Sequence, residues 1–412
     1  MVGVGLRRHA DRRAVPSQRM QGRYGLGTDT PGASRRLLGA PRVHGQLPVE
    51  PRPPALVLGV PVDDVTMNAL LDRIAHLVDH GRLAGRSHQI ATVNVDFVSH
   101  ALRQPEIADL LGTVELCIPD GQPLVWGARW CRTPLQGRVA GSDLVPLLAQ
   151  RAEIEGWRVH FFGGTEQATT TAAGILRARH PELVLTADPG PVISDPDRVE
   201  PEVIDRIASV GADVICVALG HPKQEQFIRT YGDRLGASVL LGVGGSLDLI
   251  GGTRRRAPSW MQRLGVEWLF RAVQEPRRLG PRYARDAVRF GPSIVRQAVV
   301  SWRFRHGAGL SFDTHVRSGR PTVAVSVAST VADLASWART ADAVRAGAVL
   351  ELDLERLPVL HPAAIAQVVG LARLAAPGSI EIGGTPSPGL GAQLVALRLP
   401  PRLLRPVPSP AV

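Results

Sequence analysis

The chain has 412 residues, of which 44% are hydrophobic and 21% charged, and its formal net charge is +11. This length is typical of two or three domains, and the hydrophobic fraction excludes an intrinsically disordered protein. Cys117, Cys131 and Cys216 show neither CxxC nor Cys/His spacing, which argues against a disulfide framework or a zinc finger and favours reduced, buried thiols.

The N-terminal segment is basic and has no sustained periodicity. Residues 1–54 hold ten arginines against three acidic residues, together with many glycines and prolines. This composition predicts a disordered basic arm. No apolar run in the sequence approaches the roughly 18 residues that span a bilayer, and none follows the arm in the way of a signal peptide. We therefore expect a cytoplasmic protein.

Apolar runs typical of strands alternate with segments of helical periodicity through the middle of the chain. The runs cover residues 55–60, 89–95, 114–118, 158–164, 183–187, 213–219 and 238–245. Short runs that are apolar on both faces and alternate with helices predict a parallel sheet covered on both sides. Residues 55–250 are therefore expected to form an α/β core, with its ligand beyond the carboxyl ends of the strands.

Small and polar residues follow several of these runs. The clusters contain Thr92 and Asn94, Asp120, Gly163, Gly164 and Gln167, then Pro222, Lys223, Gln224 and Glu225, and finally Gly245 and Asp248. Glycine allows close approach of a ligand to backbone N–H groups, and the following helix N-terminus favours an anion. The clusters thus predict a phosphate-bearing ligand. The absence of GxGxxG and of the P-loop pattern argues against a dinucleotide site or an NTPase.

Lys223 is the one lysine among 48 Lys and Arg residues. Pro222 suits the first turn of a helix, which would place the Lys223 ammonium at the positive helix end beside a bound phosphate. Gln224 and Glu225 would then contact a base or sugar hydroxyls. The alternative is that Lys223 and Glu225 form a solvated helix start.

The segment of residues 251–310 combines arginines with aromatic residues and predicts a helical appendage. Between residues 254 and 305 there are thirteen arginines against Glu267, Glu275 and Asp286. This mixture suits a surface that meets phosphates and a membrane boundary. A basic stripe also suits nucleic acid, but no helix-turn-helix, zinc-finger or RNP-like pattern accompanies it, so no nucleic-acid partner is expected.

The last ninety residues predict a separate small α/β sandwich in β-α-β-α-β-α order. The pattern around LELDLERLPVLHPAAI makes residues 320–405 similar to a STAS domain. That resemblance implies an interaction or regulatory module with a protein partner. Where regulatory members carry Asp-Ser, this chain has His361 and Pro362, so phosphorylation at that position is not expected.

A longer resemblance covers about residues 56–290. The runs TVNVDFVSHAL, IPDGQPLVWGAR, LQGRVAGSDLV, VHFFGGTEQ, VALGHPKQEQFI and GVGGSLDLIGGTRRRAPSWMQRLGVEWLFRAVQEPRR resemble the WecG/TagA/CpsF glycosyltransferases. The resemblance implies a Rossmann-like core that transfers, with inversion, a sugar such as N-acetylmannosamine from a UDP-sugar to a polyprenyl-diphosphate-linked acceptor. It also implies a role in cell-surface polysaccharide synthesis and peripheral association with the inner face of the cell membrane.

The same resemblance implies roles for particular residues. Asp120 corresponds to the proposed general base of the family, and Thr92 and Asn94 would line the same pocket. The substrate cleft would include Arg138, Gln167 and the loop 222–225. Arginines of the appendage would stabilise the leaving UDP in place of a metal ion, at positions Arg271, Arg277 and Arg278. No metal cofactor is expected, and Asp195 and Asp197, although spaced as in a DxD motif, suit the start of a helix better.

A different class of function remains open from the sequence. A catalytically inactive transferase-like core could act with the STAS-like domain as an adaptor at the membrane. The presence of every quoted motif favours the enzyme.

Overall fold

The computed structural model describes residues 52–376 and 378–399, without the side chains of Ser259, Arg263 and Arg278. Apart from its last three residues, the predicted arm of residues 1–54 lies outside this part of the chain. None of the described helices combines the length and the apolar character needed to cross a membrane.

The first apolar run does not join the parallel sheet as predicted. Instead, β1 (Ala55–Val57) and β2 (Val60–Val62) form an antiparallel hairpin. Leu58 and Gly59 both have positive φ, at 52° and 85°, and such a pair makes the tight turn that reverses a chain. The prediction was wrong here because the turn contains a hydrophobic residue, Leu58, so that residues 55–60 form one continuous apolar run in the sequence.

Within the described residues, the central sheet consists of parallel strands in the order β4-β3-β8-β7-β5-β6. They are β3 (His88–Val93), β4 (Leu116–Pro119), β5 (Arg158–Gly163), β6 (Val184–Asp188), β7 (Val214–Ala218) and β8 (Val239–Gly242). Each remaining apolar run of the core contributes one of these strands. The predicted Rossmann-like α/β core is confirmed.

Helices cover both faces of this sheet. They are α1 (Met67–Ala84), α2 (Val95–Ala101), α3 (Pro105–Thr113), α4 (Gln122–Trp130), α5 (Gly141–Glu155), α6 (Glu166–Arg179), α7 (Pro201–Ser209), α8 (Lys223–Leu235) and the short α9 (Ser246–Ile250). Because side chains alternate along a strand, Phe161 packs in a core with α1, α5 and α6, whereas Phe162 packs in another with α7 and α8.

The appendage continues as α10 (Ser259–Arg263), α11 (Glu267–Gln274) and α12 (Pro276–Arg303). Phe290 and Ile294 of α12 are buried in a hydrophobic cluster with Leu124 and Ala128 of α4. A Cβ on Gly127 would lie 3.2 Å from Ile294, so the small residue at this point of α4 allows the close approach of α12. The appendage is thereby anchored on the core beside β4.

The C-terminal unit, residues 309–399, has its own four-stranded sheet in the order β12-β11-β10-β9. Its elements are β9 (Gly309–Arg317), β10 (Arg320–Ala328), α13 (Leu334–Arg345), β11 (Val349–Asp353), α14 (Pro362–Leu374), β12 (Ile380–Gly383) and α15 (Pro388–Ala396). The predicted order is present, but β9, which pairs with β10 as a hairpin, was not predicted. The STAS-like assignment stays a prediction.

The C-terminal unit shares its core and polar contacts with the rest of the molecule. Leu56 of β1 lies in the hydrophobic core of this unit. The Arg373 guanidinium lies 3.1 Å from Asp63 and donates to the carbonyl oxygen of Val114. Gln297 of α12 accepts a hydrogen bond from the N–H of Leu58 and donates one to the carbonyl of Leu56. The β1-β2 hairpin therefore lies between the C-terminal unit and the appendage.

Candidate active site

A cavity of about 340 Å³ opens where the carboxyl ends of β3 and β4 meet α11 and α12. One wall is polar and the other is aromatic and apolar. Its lining residues are Asn94, Val95, Asp96, Asp120, Gly121, Gln122, Pro123, Arg138, Gly265, Glu267, Trp268, Arg271, Arg282, Tyr283, Asp286, Ala287, Phe290 and Gly291. This position matches the rule that parallel α/β sheets bind ligands beyond their strand ends.

Asp120 follows β4 directly and presents its carboxyl group to the cavity. Its own N–H donates to the carbonyl of Val93 at the end of β3, which fixes the residue between the two neighbouring strands. Burial raises the pKa of Asp120 to about 6, although the guanidiniums of Arg271 and Arg138 oppose this effect. A carboxyl group of this pKa is largely ionised at neutral pH and remains basic enough to accept a proton, as a general base requires.

Two arginines of the cavity share one buried carboxylate. Glu267, the first residue of α11, accepts a hydrogen bond from Arg138 at 2.9 Å and another from Arg271 at 2.9 Å. Arg138 also lies 3.4 Å from Asp143, which pairs with Arg256. The cavity therefore holds two guanidiniums, from the core and from the appendage, close to Asp120.

A second ion pair joins α2 to α12 at the other side of the cavity. Asn94 caps α2, its side-chain oxygen accepting from the N–H of Asp96 at 3.0 Å. The Asp96 carboxylate lies 3.0 Å from Arg282. Burial, together with the nearby charge of Asp96, raises the pKa of Asp286. Asn94 thus lines the same cavity as Asp120.

Thr92, which was expected in the same pocket, does not line the cavity. Its hydroxyl is buried and donates to the carbonyl of Gly242 in β8 at 2.9 Å. The side chain thus ties β3 to β8 just below the site.

The loop after β7 differs from the prediction, because Gln224 and Glu225 are turned into the protein and not towards a ligand. The Gln224 side-chain oxygen accepts from the N–H groups of Gly220 and Gly244. Glu225, with a fully buried side chain, accepts from Gln224 and pairs with His221 at 2.9 Å. Direct contact of these two side chains with a base or sugar would leave buried polar groups unpaired, so their observed role is to hold two strand-end loops together.

Lys223 also has a partner within the protein. Helix α8 begins at Lys223, one residue after Pro222 and the cis His221–Pro222 peptide bond. The Lys223 ammonium donates to the carbonyl oxygen of Ile193 at 2.8 Å. The ammonium therefore holds the loop that follows β6, and its placement beside a phosphate stays a prediction.

The remaining strand-end residues lie along the same edge of the sheet but outside the cavity. Gly163 and Gly164 have φ of 87° and 83°, a region that favours glycine. Gln167 is exposed in the first turn of α6. A Cβ on Gly245 would lie 2.9 Å from the Arg254 guanidinium, and Asp248 lies 3.2 Å from the same group. These residues do not line the cavity around Asp120.

Of the appendage arginines predicted from the sequence, Arg271 lines the cavity. Arg277 is exposed on the first turn of α12, and the side chain of Arg278 lies outside the part that the structure describes. Asp195 accepts from the N–H of Asp197 in a turn, and Asp197 accepts from Thr230. Since α7 begins later, at Pro201, neither aspartate begins a helix.

Sequence reasoning missed Glu267 and the Asp96–Arg282 pair. One signal was available: Glu267 and Arg271 are four residues apart, the spacing of a helical ion pair, in a segment with few acidic residues. Among the described residues, no group of three His, Cys, Asp or Glu side chains is arranged to hold a metal ion. Metal independence stays a prediction, which a chelator tests.

A parallel α/β sheet with a basic carboxylate and paired guanidiniums at its strand ends is suited to transfer of a group that leaves with a phosphate. The model of the glycosyl transferase WecG/TagA/CpsF family matches residues 55–303, more than half of the chain. The chain belongs to this glycosyltransferase family, which confirms the resemblance and the enzyme class inferred from the sequence.

Curated relatives agree with this assignment. N-acetylglucosaminyldiphosphoundecaprenol N-acetyl-beta-D-mannosaminyltransferases of Staphylococcus aureus strains MW2 and NCTC 8325 / PS 47 are each 28% identical to this chain over 224 residues. Each match covers 54% of this chain and 86% of the relative. The similarity therefore spans most of each relative and about half of this chain.

Proposed function

We propose that the protein transfers N-acetylmannosamine from its UDP-sugar to N-acetylglucosamine carried on a polyprenyl diphosphate, in cell-surface polysaccharide synthesis. The names of the relatives support the sugar and the lipid-linked acceptor. The observation that carries the proposal is Asp120, a carboxyl group of raised pKa in the cavity, faced by Arg138 and Arg271.

The proposed reaction is a single displacement with inversion at the anomeric carbon. A hydroxyl oxygen of the acceptor forms a bond to that carbon while the bond to the donor's phosphate oxygen breaks. The hydroxyl proton passes to the Asp120 carboxylate, and the electron pair of the broken bond leaves with UDP. Asp120 suits this step because a base is most useful when its pKa lies near the working pH.

The leaving diphosphate gains negative charge as the glycosidic bond breaks. Arg138 and Arg271 line the cavity beside Asp120 and would stabilise that charge through donors fixed before the reaction begins. The two guanidiniums would stabilise the charge that a divalent cation stabilises in metal-dependent transferases.

Helix α12 supports peripheral association with a membrane. One face carries Phe290, which lines the cavity, and the other presents apolar and basic side chains to solvent. The exposed residues of this second face are Val288, Val295, Val299, Trp302, Arg285, Arg296 and Arg303. An apolar stripe beside arginines suits the surface of an anionic bilayer. Such docking would bring the cavity to the place where a lipid-linked acceptor is found. A protein partner for the C-terminal unit stays a prediction.

The donor assignment is tested by thermal denaturation of the purified protein with UDP, GDP, CDP and several UDP-sugars, each with and without EDTA. A ligand that binds the native state raises the midpoint of unfolding. We expect a rise that is selective for uridine nucleotides and insensitive to EDTA. A rise abolished by EDTA would contradict the metal-independent mechanism. No rise with any nucleotide would contradict the transferase proposal and favour the adaptor.

A further inference from the structure

Glu267 occupies a position in the cavity wall that the proposed reaction does not yet use. Its side chain is 6% exposed, whereas those of its partners Arg138 and Arg271 are 19% and 39% exposed. Each oxygen of its carboxylate accepts one of the two guanidiniums at 2.9 Å. The carboxylate therefore lies behind the arginines, which are the more exposed members of the cluster.

Glu267 is held as an anion. Burial on its own would raise the pKa of Glu267, but Arg271 and Arg138 outweigh burial and hold the pKa below its ordinary value. A buried carboxylate with two charge-assisted hydrogen bonds fixes the planes of both guanidiniums. Its two partners come from different parts of the molecule, Arg138 from the loop before α5 and Arg271 from the appendage.

The arginines keep unused hydrogen-bond donors. The Nε of Arg271 is buried and has no hydrogen-bond partner among the described residues. An arginine has five N–H donors in a fixed fork. Glu267 takes one from each side chain, and Asp143 takes a further one from Arg138. Donors therefore remain for an anion in the cavity while both guanidiniums stay bound to Glu267.

We propose that Glu267 is a positioning residue that holds Arg138 and Arg271 as a rigid pair facing the diphosphate of the sugar donor. This inference rests on the proposed function, because it assigns the anion to the donor. It also makes the site dependent on docking of the appendage, since Glu267 brings the arginine of α11 to the arginine of the core.

The test compares the wild-type protein with Glu267→Gln, Arg271→Ala and the double variant. Glu275→Gln is the matched control, since Glu275 also belongs to the appendage and pairs with Arg254 at 3.0 Å, but outside the cavity. We expect Glu267→Gln to lower kcat about 10- to 100-fold, less than the roughly 10²- to 10³-fold loss on removal of a transition-state donor, because both guanidiniums remain. The KM for the donor should rise by less than about tenfold, because the intact donor carries less negative charge than the released UDP, and the control should keep kcat within about twofold.

Because Glu267 acts through the two arginines, the double variant should lose less activity than the product of the two single losses. Losses that multiply would show independent roles and overturn the inference. Wild-type kcat in Glu267→Gln would overturn it as well. If Glu267→Gln does not fold, Glu267→Asp keeps the charge but cannot reach both guanidiniums, and it should still lower kcat.

Affinity for UDP separates this inference from the proposed function. We expect Glu267→Gln to bind UDP about tenfold more weakly than wild type, since the fixed pair is lost. Unchanged or tighter UDP binding would overturn the inference, because a carboxylate that only competes with the phosphate would improve binding when neutralised. If the wild-type protein transfers no sugar, the proposed function fails, and UDP affinity still decides whether Glu267 positions the arginines.

Discussion

Replacement of Asp120 by Asn removes the proposed base while nearly preserving the shape of the cavity wall. Loss of a positioned general base lowers turnover by roughly 10²- to 10⁴-fold. UDP binding should persist, because Arg138 and Arg271 are unchanged. The assay is the initial rate of UDP release with donor and acceptor present, and wild-type turnover in Asp120→Asn would refute the assignment.

The same substitution has a predictable effect on stability. Burial raises the pKa of Asp120 to about 6 in the folded protein, against about 3.9 for an ordinary aspartate. The folded state thus binds this proton more tightly than the unfolded state. The resulting stabilisation is present below about pH 4 and is lost as pH rises through about 6.

The magnitude follows from the pKa difference of about two. At 1.36 kcal/mol for each pKa unit, ionised Asp120 destabilises the folded protein by roughly 3 kcal/mol at pH 8, and by about half of that at pH 5. Asn does not ionise, so Asp120→Asn should gain stability relative to wild type as pH rises from 5 to 8. Denaturant unfolding of both proteins at the two pH values measures this gain. A stability difference that is the same at both values would refute the raised pKa.

Three further predictions concern other parts of the molecule. Arg373→Ala should lower the free energy of unfolding by about 3–5 kcal/mol, since it leaves Asp63 without its buried partner; denaturant unfolding checks this, and a loss below 1 kcal/mol would contradict it. Glu225→Ala should cost about 1–3 kcal/mol by leaving buried polar groups unpaired, and an unchanged unfolding midpoint would be inconsistent with that role. Val299→Glu should weaken flotation with anionic phospholipid vesicles, whereas Val395→Glu, at an exposed valine of the C-terminal unit, should not; equal effects would argue against docking through α12.

The ends of the strands could be predicted from the sequence, but not which strands are adjacent in the sheet. Asn94 and Asp120 were both expected after strands, and the structure brings them to one cavity because β3 and β4 are adjacent in the sheet. Strand order depends on crossover connections between distant segments, which local periodicity does not contain. Gly163 and Gly245 were predicted as site residues by the same argument, but they lie at the ends of β5 and β8 and do not line the cavity.

Side-chain direction at helix starts was the less predictable feature. Lys223 and Glu225 suited a phosphate site by their position, yet Lys223 bonds the carbonyl of Ile193 and Glu225 is enclosed by Gln224 and His221. Which side of a helical turn faces the ligand depends on the packing of the loops around it. The position of a polar residue at a helix start therefore does not show whether its side chain points outward or packs within the protein.

The arginines of the appendage that lie in the cavity could not be identified from the sequence, for a different reason. Thirteen arginines between residues 254 and 305 look alike in sequence, and the structure distinguishes Arg271 through its contact with Glu267. The aromatic wall made by Trp268 and Tyr283, whose rings meet edge to face, likewise depends on the angle between α11 and α12.

Direct detection of the transfer product tests whether the protein has the proposed N-acetylmannosaminyltransferase activity. The purified protein would be incubated with UDP-N-acetylmannosamine and a synthetic polyprenyl-diphosphate N-acetylglucosamine in the presence of EDTA, with Asp120→Asn in parallel. We expect a disaccharide-lipid with the mass of the transfer product and inverted anomeric configuration by NMR, formed by the wild-type protein and at least about a hundredfold more slowly by the variant. Absence of this product, or equal rates for the two proteins, would contradict the proposal.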